Sequence, residues 1–132
     1  KLKRARENRV PTSVFYQITP ILEIIIALRP QSILDIGAGT GKYGFLAREY
    51  LDIYGSKDIR YCKEMWRHRI DAIEAFGPYV TPVHEYVYDE VFVGDALEIV
   101  PRLPRSYDLV LLIDVLEHID RSQGEDVKGA QD

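Results

Sequence analysis

The residues with the clearest chemical potential lie in Ile33 to Gly44, ILDIGAGTGKYG, where the carboxylate of Asp35 is followed by glycines at positions 37, 39 and 41. Glycine lets a backbone approach a ligand closely and adopt conformations closed to other residues. A glycine loop after an apolar run therefore reads as a cradle for a phosphate or a nucleotide-like cofactor. The P-loop reading fails, because the position five before Gly41 is Ile36, and Tyr43 stands where a magnesium-binding Ser or Thr is required. Gly39, Gly41 and Gly44 satisfy the dinucleotide pattern G-x-G-x-x-G, but that register needs the strand to continue through Gly37 and Ala38. Asp35-x-Gly37-x-Gly39-x-Gly41 is the better register, and its carboxylate suits a ligand carrying positive charge rather than a pyrophosphate. Three more carboxylates end or follow β-prone runs: Glu74 in IDAIEAF, Asp95 in VFVGDALEI and Asp114 in LVLLIDVLEHI. Taken singly, a strand-end carboxylate is most often a turn residue or a helix cap.

In this order the four features resemble the class I S-adenosylmethionine-dependent methyltransferases, whose first motif is a strand ending in Asp or Glu followed by G-x-G-x-G. The chain carries that motif as Leu34-Asp35-Ile36-Gly37-Ala38-Gly39-Thr40-Gly41, and the resemblance covers residues 12–120. It implies that Asp35, Gly37, Ala38, Gly39 and Gly41 hold the amino-acid end of S-adenosyl-L-methionine, and that Glu74, with Ala75 beside it, accepts hydrogen bonds from both ribose hydroxyls. It further implies that Asp95 accepts from the adenine amino group, that Ala96 contributes a backbone N–H, and that Asp114 lines the methyl-donor region. His118, after the fourth strand, is the candidate general base, needed only if the acceptor is a hydroxyl or a protonated amine. The Asn/Asp-Pro-Pro-Tyr signature of amino-group methylation on bases or glutamine is absent where IDVLEH stands. A small-molecule methyl acceptor is the expected substrate. A non-catalytic cofactor-binding or scaffold domain and an NAD-binding oxidoreductase are the alternatives.

The elements that must position these residues follow from periodicity. Ile18, Ile21, Leu22, Ile25 and Leu28 have helical spacing, with Pro20 expected to break or restart the helix behind a Thr19 cap and Pro30 to end it. Ser32 to Ile36 reads as a strand, and Tyr43, Leu46, Ala47, Tyr50, Leu51 and Tyr54 as a helix closed by Gly55. Arg69 to Glu74 and Glu90 to Gly94 read as strands, with a short helix between them starting at Thr81. Tyr107 to Asp114 reads as a central strand buried on both faces. Strands alternating with helices predict an α/β, doubly wound, mostly parallel sheet of Rossmann-like methyltransferase topology. The family domain has seven strands and this chain supplies four, so an incomplete C-terminal end is expected. That leaves either a longer parent domain or a homo-oligomer pairing through the fourth-strand edge.

The distance from Gly37 to Glu74 exceeds the roughly 20 residues usual before an acidic ribose ligand, so an insertion, SKDIRYCKEMWRHR, is expected between the first helix and second strand. The favoured reading is a solvated helix burying Tyr61, Met65 and Trp66. The other is a basic, aromatic substrate surface of Arg60, Lys63, Trp66, Arg67 and His68. Within SVFYQITP, a packed amphipathic helix is favoured over a segment that folds across the cofactor with Tyr16 at the methyl region.

The 132 residues, 46% hydrophobic, suffice for one domain with a real core. Residues 1–11 read as a flexible arm, 12–120 as the partial methyltransferase domain and 121–132 as a polar tail. The net charge of −4 gives no general reason to expect nucleic acid or an anionic membrane as partner. One cysteine, Cys62, makes neither an intrachain disulfide nor a cysteine-based metal site, and no signal-like segment opens the chain. A cytoplasmic setting is expected, with no metal and no membrane.

Overall fold

The computed structural model describes residues 15–54 and 61–113. Helix α1, Ile18–Leu28, leads into strand β1, Ser32–Ile36, and the glycine loop then opens helix α2, Lys42–Arg48. Strand β2 is Arg69–Glu74, α3 is Pro82–Val87, β3 is Glu90–Val93, α4 is Ala96–Ile99 and β4 is Leu109–Leu111. All pairings are parallel, in the order β3-β2-β1-β4. Ser32 pairs with Arg69, Ile33 with Leu109, and Asp71 with Glu90.

Both faces of the sheet carry helices. On one face Ile33, Ile70, Ala72 and Leu111 pack against Ile25 of α1, Tyr43 and Ala47 of α2, and Val87 and Tyr88 of α3 and its end. On the other, Leu34, Ile36 and Ile73 pack against Ala96, Ile99, Leu103 and Tyr107. The period of two along each strand decides this division and puts Asp35 and Glu74 on the first face, toward α2 and α3. The fold is thus the expected α/β, doubly wound parallel sheet.

Several expectations need correction. Pro20 does not break α1: it sits in the first turn, where a missing N–H leaves no helical hydrogen bond unmade. Gln17 takes the N-cap position, and Thr19 lies inside the helix. At the other end Arg29 adopts a left-handed conformation (φ 45°) and donates its N–H to the Ile25 carbonyl, so the chain turns before Pro30. Helix α2 gives way after Arg48 to a wide turn of π-helical type, Glu49–Ile53. Segment 61–68 forms only a short 3-10 turn, Lys63–Met65, with Tyr61 and Met65 exposed. Neither residue enters the core, whereas Lys63 is drawn into hydrogen bonds with the carbonyls of Glu85 and Tyr88. Strand β4 is shorter than its apolar run, and among the described residues it pairs only with β1. β4 is therefore not central there, and the side chains of Val110 and Leu112 are exposed. The N-terminal arm, Gly55, Arg60 and the polar tail lie outside the described residues.

Two charged networks brace the frame. Arg48, fully buried, donates from Nε to the Val87 carbonyl (2.8 Å), from Nη1 to Asp52 Oδ2 (3.0 Å) and the His68 carbonyl (2.6 Å), and from Nη2 to Asp89 Oδ2 (2.9 Å). It ties α2 to the entry of β2 and to the α3–β3 connection. Burial alone would raise Asp52, but hydrogen bonds from His68, the Arg67 N–H and Arg48 outweigh it and hold the carboxyl below its ordinary value. On the opposite face Asp71 Oδ2 accepts from Arg69, Arg105 and Tyr107.

Candidate functional site

The glycine loop runs directly out of β1. Gly37 donates its N–H to the Ile73 carbonyl (2.8 Å), extending the β1–β2 ladder by one bond, and Gly41 closes the loop onto the Ala38 carbonyl (2.9 Å). Gly37, Gly39 and Gly41 have φ values of 70°, 59° and 87°, so three alternate residues take a conformation that L side chains disfavour. At Gly39 an added Cβ would meet nothing within 4 Å, which leaves the loop's outer face open.

Both polar groups of Gly39 are tied down. Its N–H donates to Glu74 Oε2 (3.2 Å), and its carbonyl accepts from His84 Nε2 (2.7 Å). Glu74, at the end of β2, also receives the Phe76 N–H at Oε1 (3.4 Å). The carboxylates of Asp35 and Glu74 are close enough that Glu74 adds to the cost of ionising Asp35. Burial is the larger cause, and the Asp35 carboxyl is pushed up to about 6 despite the hydrogen bond it accepts from Tyr88 Oη at 2.5 Å. The Tyr88 hydroxyl is in turn driven far above the ordinary phenol range by burial and by the adjacent Asp35.

Asp95 stands exposed after β3 and caps α4, accepting the Leu97 N–H at 2.9 Å, so the plain helix-cap role is filled there. Ala75, just after β2, is exposed, and Ala96, the first residue of α4, is half-buried. The structure brings Asp35, Gly37, Ala38, Gly39, Gly41 and Glu74 into one neighbourhood at the C-terminal ends of β1 and β2. Asp95 and Ala96 stand at the adjacent end of β3. Asp114 and His118 lie outside the described residues. Tyr16 is largely exposed and, with Gln17, Pro20, Ile21 and Ile113, lines an apolar groove of about 440 Å³ beside the end of β4. From the basic and aromatic set, Lys63 donates to the carbonyls of Glu85 and Tyr88, and His68 faces Asp52.

Three residues have roles that the sequence alone does not report. His84 and Tyr88 meet the loop across sequence separations that no local pattern reports, and Gly44 fits a packing demand. A Cβ on Gly44 would stand 2.5 Å from the Tyr88 ring, so this glycine is required for close packing. Among the described residues no group of three or more His, Cys, Asp and Glu could hold a metal, and no helix is long and apolar enough to cross a membrane.

No family model matches the sequence, and no curated protein matches it. Among solved structures the chain is similar to a candidate caffeoyl-CoA O-methyltransferase from Staphylococcus aureus, with a TM-score of 0.54 at 20% identity. The match covers 82% of this chain and 49% of that one, so the chain spans about half the length of its structural relative. Strand order and structural likeness agree: this chain has a Rossmann-like α/β fold with an all-parallel sheet, like that of the O-methyltransferase structure.

Proposed function

We propose that the chain binds S-adenosyl-L-methionine and forms the cofactor-binding part of a methyltransferase acting on a small-molecule acceptor. The observation that carries this reading is the open, positive-φ glycine loop held between two carboxylates, Asp35 and Glu74. A buried carboxyl raised to about 6 favours a ligand that brings positive charge, because a cation restores its ionised form. A pyrophosphate would meet two like charges instead, and this argues against a dinucleotide. The residues fit the cofactor: Asp35 would hold the amino-acid end, the loop leaves room for close approach at Gly39, and Glu74 would offer its remaining lone pairs to a diol. Asp95, Ala96 and Asp114 are assigned to the adenine and methyl-donor regions on the family resemblance.

When bound, the cofactor supplies an electrophilic methyl group. The protein's share of the work is to align the acceptor behind that methyl and to keep water away. The apolar groove lined by Tyr16, Pro20, Ile21 and Ile113 fits an acceptor with an apolar body. Calorimetric titration with S-adenosylhomocysteine tests the reading. Saturable binding is expected, and Glu74→Ala should weaken it by about 1–3 kcal/mol. Unchanged affinity in that variant would remove Glu74 from the site.

A further inference from the structure

The geometry points to His84 and Tyr88, one helical turn apart at α3, as positioning residues that hold the glycine loop in its ligand-ready shape. His84 grips the Gly39 carbonyl and Tyr88 grips the Asp35 carboxylate. The functional meaning of this clamp rests on the cofactor reading above, but its mechanical action on the loop does not.

The partners settle the proton on His84. Its Nδ1 lies 3.0 Å from the Thr81 N–H, a group that can only donate, so Nδ1 is the acceptor. Nε2 lies 2.7 Å from the Gly39 carbonyl, which can only accept, so Nε2 carries the proton. The ring is wholly buried and neutral, with both nitrogens committed. One side completes the capping box of α3 and the other reaches the loop. Gly39 is thereby fixed at both peptide planes, by Glu74 through its N–H and by His84 through its carbonyl, while its outer face stays open.

Tyr88 acts on the other end of the loop. Its buried ring lies against the Cβ positions of Gly41 and Gly44, and its hydroxyl donates to Asp35 Oδ2. The clamp needs a firm base, and α3 has one: Lys63 takes the carbonyls of Glu85 and Tyr88, and Arg48 takes that of Val87. Cations thus satisfy carbonyls that a helix C-terminus leaves open. Pre-ordering of this kind lowers the entropy that a ligand must overcome on binding.

A pair of variants separates the two sides of His84. In His84→Asn the side-chain oxygen takes the place of Nδ1 and keeps the helix cap, but nothing reaches Gly39. In His84→Gln the amide nitrogen extends to the place of Nε2 and can donate to the Gly39 carbonyl. Hydrogen exchange is measured on the ligand-free full chain at the amides of Gly39 and Gly41, relative to the core amides of Ile33 and Ile70, which report global opening. His84→Asn should speed loop exchange about fivefold to tenfold, the effect of one hydrogen bond, and His84→Gln should restore most of the protection. Wild-type loop rates in His84→Asn, or equal loss in both variants, would overturn the proposal.

Should either histidine variant fail to fold, Tyr88→Phe keeps the ring and removes only the hydroxyl. The groups acting on Asp35 among the described residues are Tyr88, after α3, and Glu74, on β2. Loss of the Tyr88 hydrogen bond must shift the Asp35 carboxyl titration, followed by carbon NMR, upward from its wild-type midpoint. An unmoved midpoint contradicts the clamp. Titrating the wild type with S-adenosylhomocysteine keeps the two claims apart: no binding there defeats the cofactor reading, while loop exchange still decides the clamp.

Discussion

Asp35 is the residue on which stability and binding pull in opposite directions. Its carboxyl is raised from 3.8 to about 6 in the folded chain, chiefly by burial, so the folded state holds a proton that the unfolded state releases. Stability is therefore lost as pH rises between these two values, by about 3 kcal/mol at completion. Asp35→Asn, which Tyr88 can still hydrogen-bond, should melt at higher temperature than wild type at pH 8 and converge with it near pH 4. Thermal melts across that range check this, and equal melting at pH 8 would mean that Asp35 carries no burial penalty. The same logic makes affinity for a ligand bearing an ammonium group rise with pH through about 6, since binding favours the ionised carboxylate. Calorimetry in buffers of differing ionisation enthalpy at pH 5.5 should then record proton release. Gly44 offers a second test at this scale. Alanine gains about 1 kcal/mol in helix propensity, but its Cβ would stand 2.5 Å from a buried tyrosine ring. Overpacking of this kind costs about 1–3 kcal/mol, and the ring is held by Asp35, so Gly44→Ala should lower the denaturant midpoint.

At the scale of elements, α3 is six residues long yet packs against α2 and β3 and reaches the glycine loop through His84. So short a helix has little stability of its own, and its order comes from the Thr81 capping box and from Arg48 and Lys63 at its other end. Arg48→Met should be severe. It keeps much of the apolar stem but leaves the buried carboxylate of Asp52 without its guanidinium, a loss of about 3–5 kcal/mol. Denaturant unfolding measures this, and a change below about 1 kcal/mol would show the network to be dispensable. Elements governed by local pattern were legible in the sequence. β2 runs from Arg69 to Glu74 as expected, and Thr81 starts α3 because cap and proline sit side by side. Elements governed by distant partners were not. The amphipathic spacing of residues 61–68 favoured a helix, but Lys63 and His68 are engaged by α3 and Asp52, leaving only one 3-10 turn. Pro20 misled for a local reason, since a first-turn proline and a helix-breaking one look alike until the helix start is known.

Across the whole molecule, strand order puts the glycine loop between β2 and β4, where a doubly wound sheet reverses direction and ligands bind. The alternation of strands and helices made that architecture legible, and Asp35 and Glu74 meet because their positions share a face by the period of two. The clamp by His84 and Tyr88 was invisible, because contacts separated by 45 and 53 residues depend on tertiary packing alone. β4 is shorter and more exposed than its apolar run predicts for a related reason: an apolar run signals burial only where a neighbour covers it, and among the described residues β4 pairs on one side. The central claim is that this fold carries a site for a cationic, sulfonium-type nucleoside cofactor and not a dinucleotide. Separate calorimetric titrations of the chain with S-adenosylhomocysteine and with NADH test it most directly. Saturable binding of S-adenosylhomocysteine, with none of NADH, is the predicted result; saturable binding of NADH alone would contradict it.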